Sequence, residues 1–192
     1  MKTDYTKQFL ARSLVQLMKT TPLDKISVSE ITEECGLNRH TFYYHFKDKQ
    51  DLICWIFDND ISDHFDTPST DDINAGMHDF YFRKIIEFMF DNRLFYINAL
   101  NASGQNSLND HLYDFIYSIR EIQIDAILKG RRISPEARRF LADYFSCAIC
   151  GLITRWAENN MQNPPDVFYS KFHNVSFQCM EYLIENYFDE VQ

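Results

Sequence analysis

Five glycines and five prolines in 192 residues leave the chain few places to turn sharply, and most of them fall at joints between periodic segments. That scarcity, with long stretches of helical spacing, predicts an all-α fold. No glycine-rich phosphate loop and no nucleophile elbow is present, so two common signatures of nucleotide binding and hydrolysis are missing. Cysteines number five, an odd set on apolar helix faces: Cys35, Cys54, Cys147, Cys150 and Cys179. They do not form a disulfide framework, and a reduced cytoplasm is the expected compartment. Long apolar runs are absent too. The longest, Phe145 to Thr154, is about half of what a membrane span needs. Asp4 and Lys7 interrupt any apolar start, so no secretory pattern is read there.

Positive charge is also in short supply, with 19 Lys+Arg against 28 Asp+Glu and a formal net charge of -9. The deficit is uneven. Residues 1–53 hold 8 basic and 7 acidic side chains, or +1, and residues 54–192 hold 11 and 21, or -10. A nucleic-acid binder normally shows a basic footprint, so any such role belongs to the first quarter of the chain. The acidic remainder should weaken non-specific binding and steepen the dependence on salt.

That first quarter holds the most informative segment. Phe9, Leu10, Leu14, Leu17 and Met18 recur at helical spacing between Thr6 and Thr20, and Pro22 marks the stop. Ser27 followed by Glu30 is a capping-box pattern, predicting a helix from about Val28. Val28, Ile31 and Cys35 share one face of it. Gly36 is suited to the left-handed conformation that ends such a helix. Asn38 is then the N-cap of a second helix. At ~100° per residue, Phe42 and Phe46 fall on its inner side, while His40 and Tyr44 face away, flanked by Arg39, Thr41 and Tyr43. Two short helices around a tight turn, packed on a third, are a device for laying one helix in the DNA major groove.

The residues Ser27-Val28, Gly36-Leu37-Asn38, Thr41-Phe42-Tyr43-Tyr44-His45-Phe46, Lys49 and Leu52 resemble the DNA-binding domain of TetR-type transcriptional regulators. Thr32 and Cys35 stand where that pattern usually has Ala, and His40 where it often has Gly. The resemblance implies that Tyr43, His45 and Lys49 grip phosphate, with Ser27 and Thr41 adding hydrogen bonds; such contacts set register without reading sequence. It also implies that Arg39, His40 and Tyr44 face base edges, Arg being well suited to a bidentate contact with guanine. Asn38, at the start of the helix, completes the DNA-facing set. Each residue also has a structural reading: Tyr43 and His45 as packing groups between helices, Lys49 as a solvated first-turn lysine.

Two domains are expected: residues 1–48 as a helix-turn-helix head and residues 49–192 as a helical regulatory and dimerisation body. Body helices are predicted from Lys49 to about Asp66, Met77 to Phe90, Asn92 to Asn101, Leu108 to Lys129, Ser134 to about Asn160, and from Asn163-Pro164-Pro165-Asp166 to about Phe188. Thr67 to Asp72 reads as a loop. Leu52, Trp55, Ile56 and Asn59 should join head to body.

In the last helix Phe168, Phe172, Val175, Cys179 and Leu183 recur at helical spacing, and Tyr144, Ala148, Gly151 and Leu152 offer a close-approach face on the helix before it. The resembled family pairs these two helices into a four-helix bundle, so a homodimer binding a palindromic double-stranded operator is implied; the bland alternative buries the stripes inside one subunit. The segment Ile149 to Asn159 resembles the branch that contains activators of dihydroxyacetone kinase operons, in which a partner protein can replace a small ligand.

An aromatic-rich middle (Phe80, Tyr81, Phe82, Phe88, Phe90, Phe95, Tyr96, Tyr113, Phe115 and Tyr117, with Trp156 nearby) reads either as core or as a pocket for a small-molecule effector. No cofactor, metal or catalytic residue is expected. Cys147 and Cys150 have a redox-like spacing but no second pair and read as core cysteines. The histidines, including His64 and His78, show no ligand spacing. A protein-interaction module that keeps the fold, and a small helical enzyme, remain the alternatives.

Overall fold

The computed structural model describes residues 2–65, 78–102, 104 and 106–187, and their side chains except those of 2–4, 78–80, 171–177 and 187. Among these residues the secondary structure is helical: α1 Lys2–Met18, a 3-10 turn Leu23–Lys25, α2 Val28–Glu34, α3 Arg39–His45, α4 Lys49–His64, α5 His78–Asp91, α6 Arg93–Asn101, α7 Leu108–Leu128, α8 Pro135–Glu158 and α9 Pro165–Tyr187. The expected elements are present with ends shifted by a few residues. The predicted loop at 67–72 lies outside the described residues.

Local chemistry explains where the helices begin. The Ser27 hydroxyl accepts from the Glu30 amide while Glu30 takes the Ser27 amide at 2.7 Å, which closes the capping box of α2. Those bonds hold the Glu30 carboxyl below its ordinary value. Asn38 accepts from the Thr41 amide at 2.9 Å to cap α3, and Asp48 accepts from the Asp51 amide to cap α4. Ser107 with Asp110 caps α7, and Ser134 with Pro135 at the first position opens α8. Gly36 has φ +67, the left-handed geometry that ends α2.

One continuous apolar cluster runs from the head into the body. Leu10, Leu14, Met18, Ile31, Phe42 and Phe46 join through Leu52, Ile53 and Phe57 of α4 to Ile86, Tyr96, Leu100, Leu112 and Ile153. A second cluster closes the far end, where Ile124, Ile127 and Leu128 of α7 meet Leu141, Ala142 and Phe145 of α8 and Met180 and Ile184 of α9. Arg138 ties α8 to α7 there through Asp125 at 2.6 Å and Glu121 at 3.4 Å.

Two expectations need correction, and a third is divided between its two readings. Phe9, assigned to the inner stripe of α1, is 53% exposed, because Leu10, Leu14 and Met18 already fill that side. Of the stripe given to α9, Phe168 and Leu183 are half-buried against their own subunit: Phe168 stacks on Trp156 at 4.6 Å, and Leu183 packs on the far-end cluster. The side chains of Phe172 and Val175 lie outside the described residues. Cys147 is not a core cysteine but exposed on α8; only Cys150 turns inward, and burial pushes its thiol up to about 12, leaving almost no thiolate at neutral pH.

Candidate nucleic-acid interface

The head presents α3 on a rigid footing. Phe42 is fully buried and Phe46 nearly so, their rings 5.9 Å apart, and Phe46 meets Trp55 of α4 at 5.9 Å. The Lys7 ammonium lies 5.6 Å from the Phe46 ring centre and 5.7 Å from that of Trp55, covering the outer side of this aromatic group. Thr32 and Cys35 cause no strain as replacements for Ala. The buried Thr32 hydroxyl donates to the carbonyl oxygens of Val28 and Ser29, and the Cys35 thiol bonds to that of Ile31.

With its inner face pinned, α3 turns Arg39, His40, Tyr43 and Tyr44 outward; Tyr43 is 51% and Tyr44 77% exposed. Arg39 lies over the Tyr43 ring at 6.0 Å, and Tyr43 packs edge-on against Phe42 at 5.4 Å, so phenol and guanidinium form one braced pair. His45 is half-buried with its ring against Tyr44 at 4.9 Å. Arg39, His40, Tyr43 and Tyr44 are thus brought together on one surface, with Asn38 exposed at its edge.

The remaining predicted contacts are partly committed elsewhere. The hydroxyls of Ser27 and Thr41 donate within their own caps, to Glu30 at 2.7 Å and to Asn38 at 3.1 Å. The Lys49 ammonium donates to the carbonyl oxygens of Leu23 at 2.6 Å and Ile26 at 2.5 Å. Two of its three donors therefore hold the 3-10 turn against α4. This bracing role was missed in the sequence, where nothing local to Lys49 signals a contact with residues 23 to 26 positions earlier.

Behind the head, α1 and α4 enclose a groove of about 440 Å³ lined by Arg12, Lys19, Trp55, Ile56, Asp60 and Asp63 among others. Asp60 is half-buried, and the loss of solvent raises its carboxyl above the ordinary value although the Tyr96 hydroxyl donates to it at 3.1 Å. Further into the body the aromatic side chains pack on one another. Trp156 is stacked between Phe90 and Phe168 and donates to the Asn163 carbonyl at 2.9 Å, while Phe57 meets Phe115 edge-on. His64 bonds through its ring to the Asp60 carbonyl at 2.9 Å, and the side chain of His78 lies outside the described residues. No described helix is long and apolar enough to cross a membrane.

Comparison with known proteins fits this geometry. The model for bacterial regulatory proteins of the tetR family matches residues 12–53, and a TetR model described as a transcriptional regulator C-terminal region matches residues 79–178. The chain belongs to the TetR family of transcriptional regulators. It is a regulator and not an enzyme. Among curated relatives, the HTH-type dhaKLM operon transcriptional activator DhaS of Lactococcus lactis is 27% identical over 152 residues, covering 79% of each chain. An HTH-type transcriptional regulator of Staphylococcus aureus is 26% identical over 117 residues, 56% of this chain and 63% of the relative.

The solved structure of the dihydroxyacetone kinase operon activator DhaS superposes with a TM-score of 0.66 at 21% identity, over 92% of this chain and 97% of that one. NalD of Pseudomonas aeruginosa, the secondary repressor of the MexAB-OprM efflux pump, gives 0.60 at 12% identity, over 92% of this chain and 96% of that one. At identities this low the superpositions show a shared fold and nothing further.

Proposed function

We propose that this TetR-family regulator acts in the cytoplasm as a homodimer on a palindromic operator, with residues 1–48 as the reading head and residues 49–192 as the regulatory and dimerisation body. The observation behind this reading is the outward face of α3, where Arg39, His40, Tyr43 and Tyr44 stand exposed on a helix pinned by Phe42 and capped by the Asn38 side chain. In this reading Arg39, braced on Tyr43, reads a guanine edge with His40 and Tyr44 beside it, and Tyr43 and His45 hold phosphate. Asn38, Ser27 and Thr41 border the backbone, and Lys49 has one N–H left for it.

A single near-neutral head on an acidic body has little electrostatic attraction for DNA, so two heads are needed for useful affinity. The face of α8 bearing Phe140, Tyr144, Ala148, Gly151 and Leu152 supports pairing: Phe140 and Tyr144 are each 56% exposed and Leu152 47%. Two-fold pairing there would set the reading helices on successive major grooves, ~34 Å apart. An effector or partner protein on the body then sets the response by favouring one head spacing over another.

A salt-titrated gel-shift assay on the region upstream of the protein's own gene tests the reading head. Arg39→Ala should weaken specific binding about 5- to 150-fold, the value of ~1–3 kcal/mol for a bidentate base contact. Tyr43→Phe, which removes one phosphate donor, should weaken all sequences alike. If both substitutions leave binding unchanged, the head does not read DNA, and an interaction module that keeps the fold takes its place.

A further inference from the structure

The body holds the head at a point outside α3. Asn98, half-buried on α6, accepts the Leu23 amide on its Oδ1 at 2.8 Å, and its Nδ2 donates to the carbonyl oxygens of Met18 at 3.1 Å and Thr21 at 2.8 Å. Met18 is the last residue of α1, and Leu23 opens the 3-10 turn, so one side chain serves backbone groups left over at the end of one helix and the start of the next. Only an amide fits this set, because it joins one acceptor to two donors.

The same turn is also gripped by Lys49, through the carbonyl oxygens of Leu23 and Ile26. Two residues before Asn98 on α6, Tyr96 is fully buried and bonds to Asp60 of α4. Helix α6 therefore touches both α4, which leads out of the head, and the connection between α1 and α2, which lies within it.

We propose that Asn98 is a positioning residue that fixes the angle of the reading head on the body, and so the spacing of the two reading helices in the dimer. Displacement of α6 reaches the head through this amide as well as along α4. The inference rests on the DNA reading proposed above, but its first test does not use DNA.

Hydrogen exchange of the full-length protein reports the tether directly. Asn98→Ala should speed amide exchange in residues 18–26 about tenfold or more, a local opening, while α2 and α3 keep their protection. Asn98→Asp, which keeps the acceptor for Leu23 but sets a carboxylate against two carbonyl oxygens, should open the segment at least as much.

The second measurement compares operators at native spacing with versions one base pair longer or shorter at the centre. Wild type should discriminate sharply, since a rigid pair fits one half-site separation. Asn98→Ala should bring the affinities within about threefold of one another and bind an isolated half-site as wild type does. An equal loss at every spacing, or exchange that rises throughout α2 and α3, overturns the proposal, because a merely structural amide would behave in that way. A wild-type protein that binds no spacing at all refutes the DNA reading, and the exchange result then decides the tether alone.

Discussion

Replacing Tyr144 with Glu should split the proposed homodimer while leaving the subunit folded. Tyr144 lies on α8 with 56% of its surface exposed and is stacked on Phe140 at 6.0 Å, with Ala148 and Gly151 beyond it as small residues that permit close approach. A tyrosine offers ~200 Å², so roughly 110 Å² remains to be covered; at ~25 cal/mol per Å² that contributes about 3 kcal/mol. Two-fold symmetry counts each substitution twice, giving about 5.5 kcal/mol as an upper figure. A carboxylate buried in its place adds a desolvation cost. Half of that upper figure already weakens the dimer constant by about 100-fold. Sedimentation equilibrium over a dilution series measures this, and thermal melting of the dilute monomer should move little because the site is exposed within one subunit. Salt dependence of operator binding should fall to about half its slope, since one head makes half of the phosphate contacts. A Tyr144→Glu protein that dissociates no more readily than wild type would refute the assignment of this face.

Lys49→Met should destabilise the head by about 2–3 kcal/mol in chemical denaturation, since it removes two charge-assisted bonds at once; an unchanged midpoint would contradict the bracing role. Burial holds the Asp60 carboxyl above its ordinary value, so the folded chain binds that proton more tightly than the unfolded one. Its contribution to stability is complete below the ordinary aspartate range and is lost as pH rises through the raised folded value. Asp60→Asn, which keeps an acceptor for Tyr96, should thus be the more stable protein at neutral pH and lose that advantage in acid, as read from melting curves across pH. Thiol alkylation followed by mass spectrometry should modify the exposed Cys147 and Cys179 first in the monomeric Tyr144→Glu protein and spare Cys54 and Cys150, whose thiols burial raises to about 11 and about 12. Labelling of Cys150 at the same rate as Cys147 would show that α8 is turned differently.

Much of the head was legible because its signals are local. The Ser27 and Glu30 capping box, the Asn38 cap, the left-handed Gly36 and the spacing of Phe42 and Phe46 each act within about one helical turn, and the backbone adopts what they favour. The body was legible as helices but not as faces. Phe9 looked like core because it neighbours Leu10 in the periodic pattern, yet a helix has room for only one apolar stripe against a given partner, and Leu10, Leu14 and Met18 took it. The aromatic middle could be read as pocket or core for the same reason: ring-to-ring contacts such as Phe90, Trp156 and Phe168 join three helices, and periodicity within one helix does not encode them.

By itself, then, the sequence determined the helices to within a few residues at their ends, the outward residues of α3 and the separation of a near-neutral head from an acidic body, since these follow from neighbouring residues and from counting. Only the tertiary structure decided that Lys49 braces a turn, that Cys147 faces outward, and that Asn98 ties α6 to backbone groups 75 to 80 residues earlier. Those contacts depend on how packed helices bring distant backbone together, and a polar side chain gives no sign in sequence of the unsatisfied amide or carbonyl it will meet across the fold.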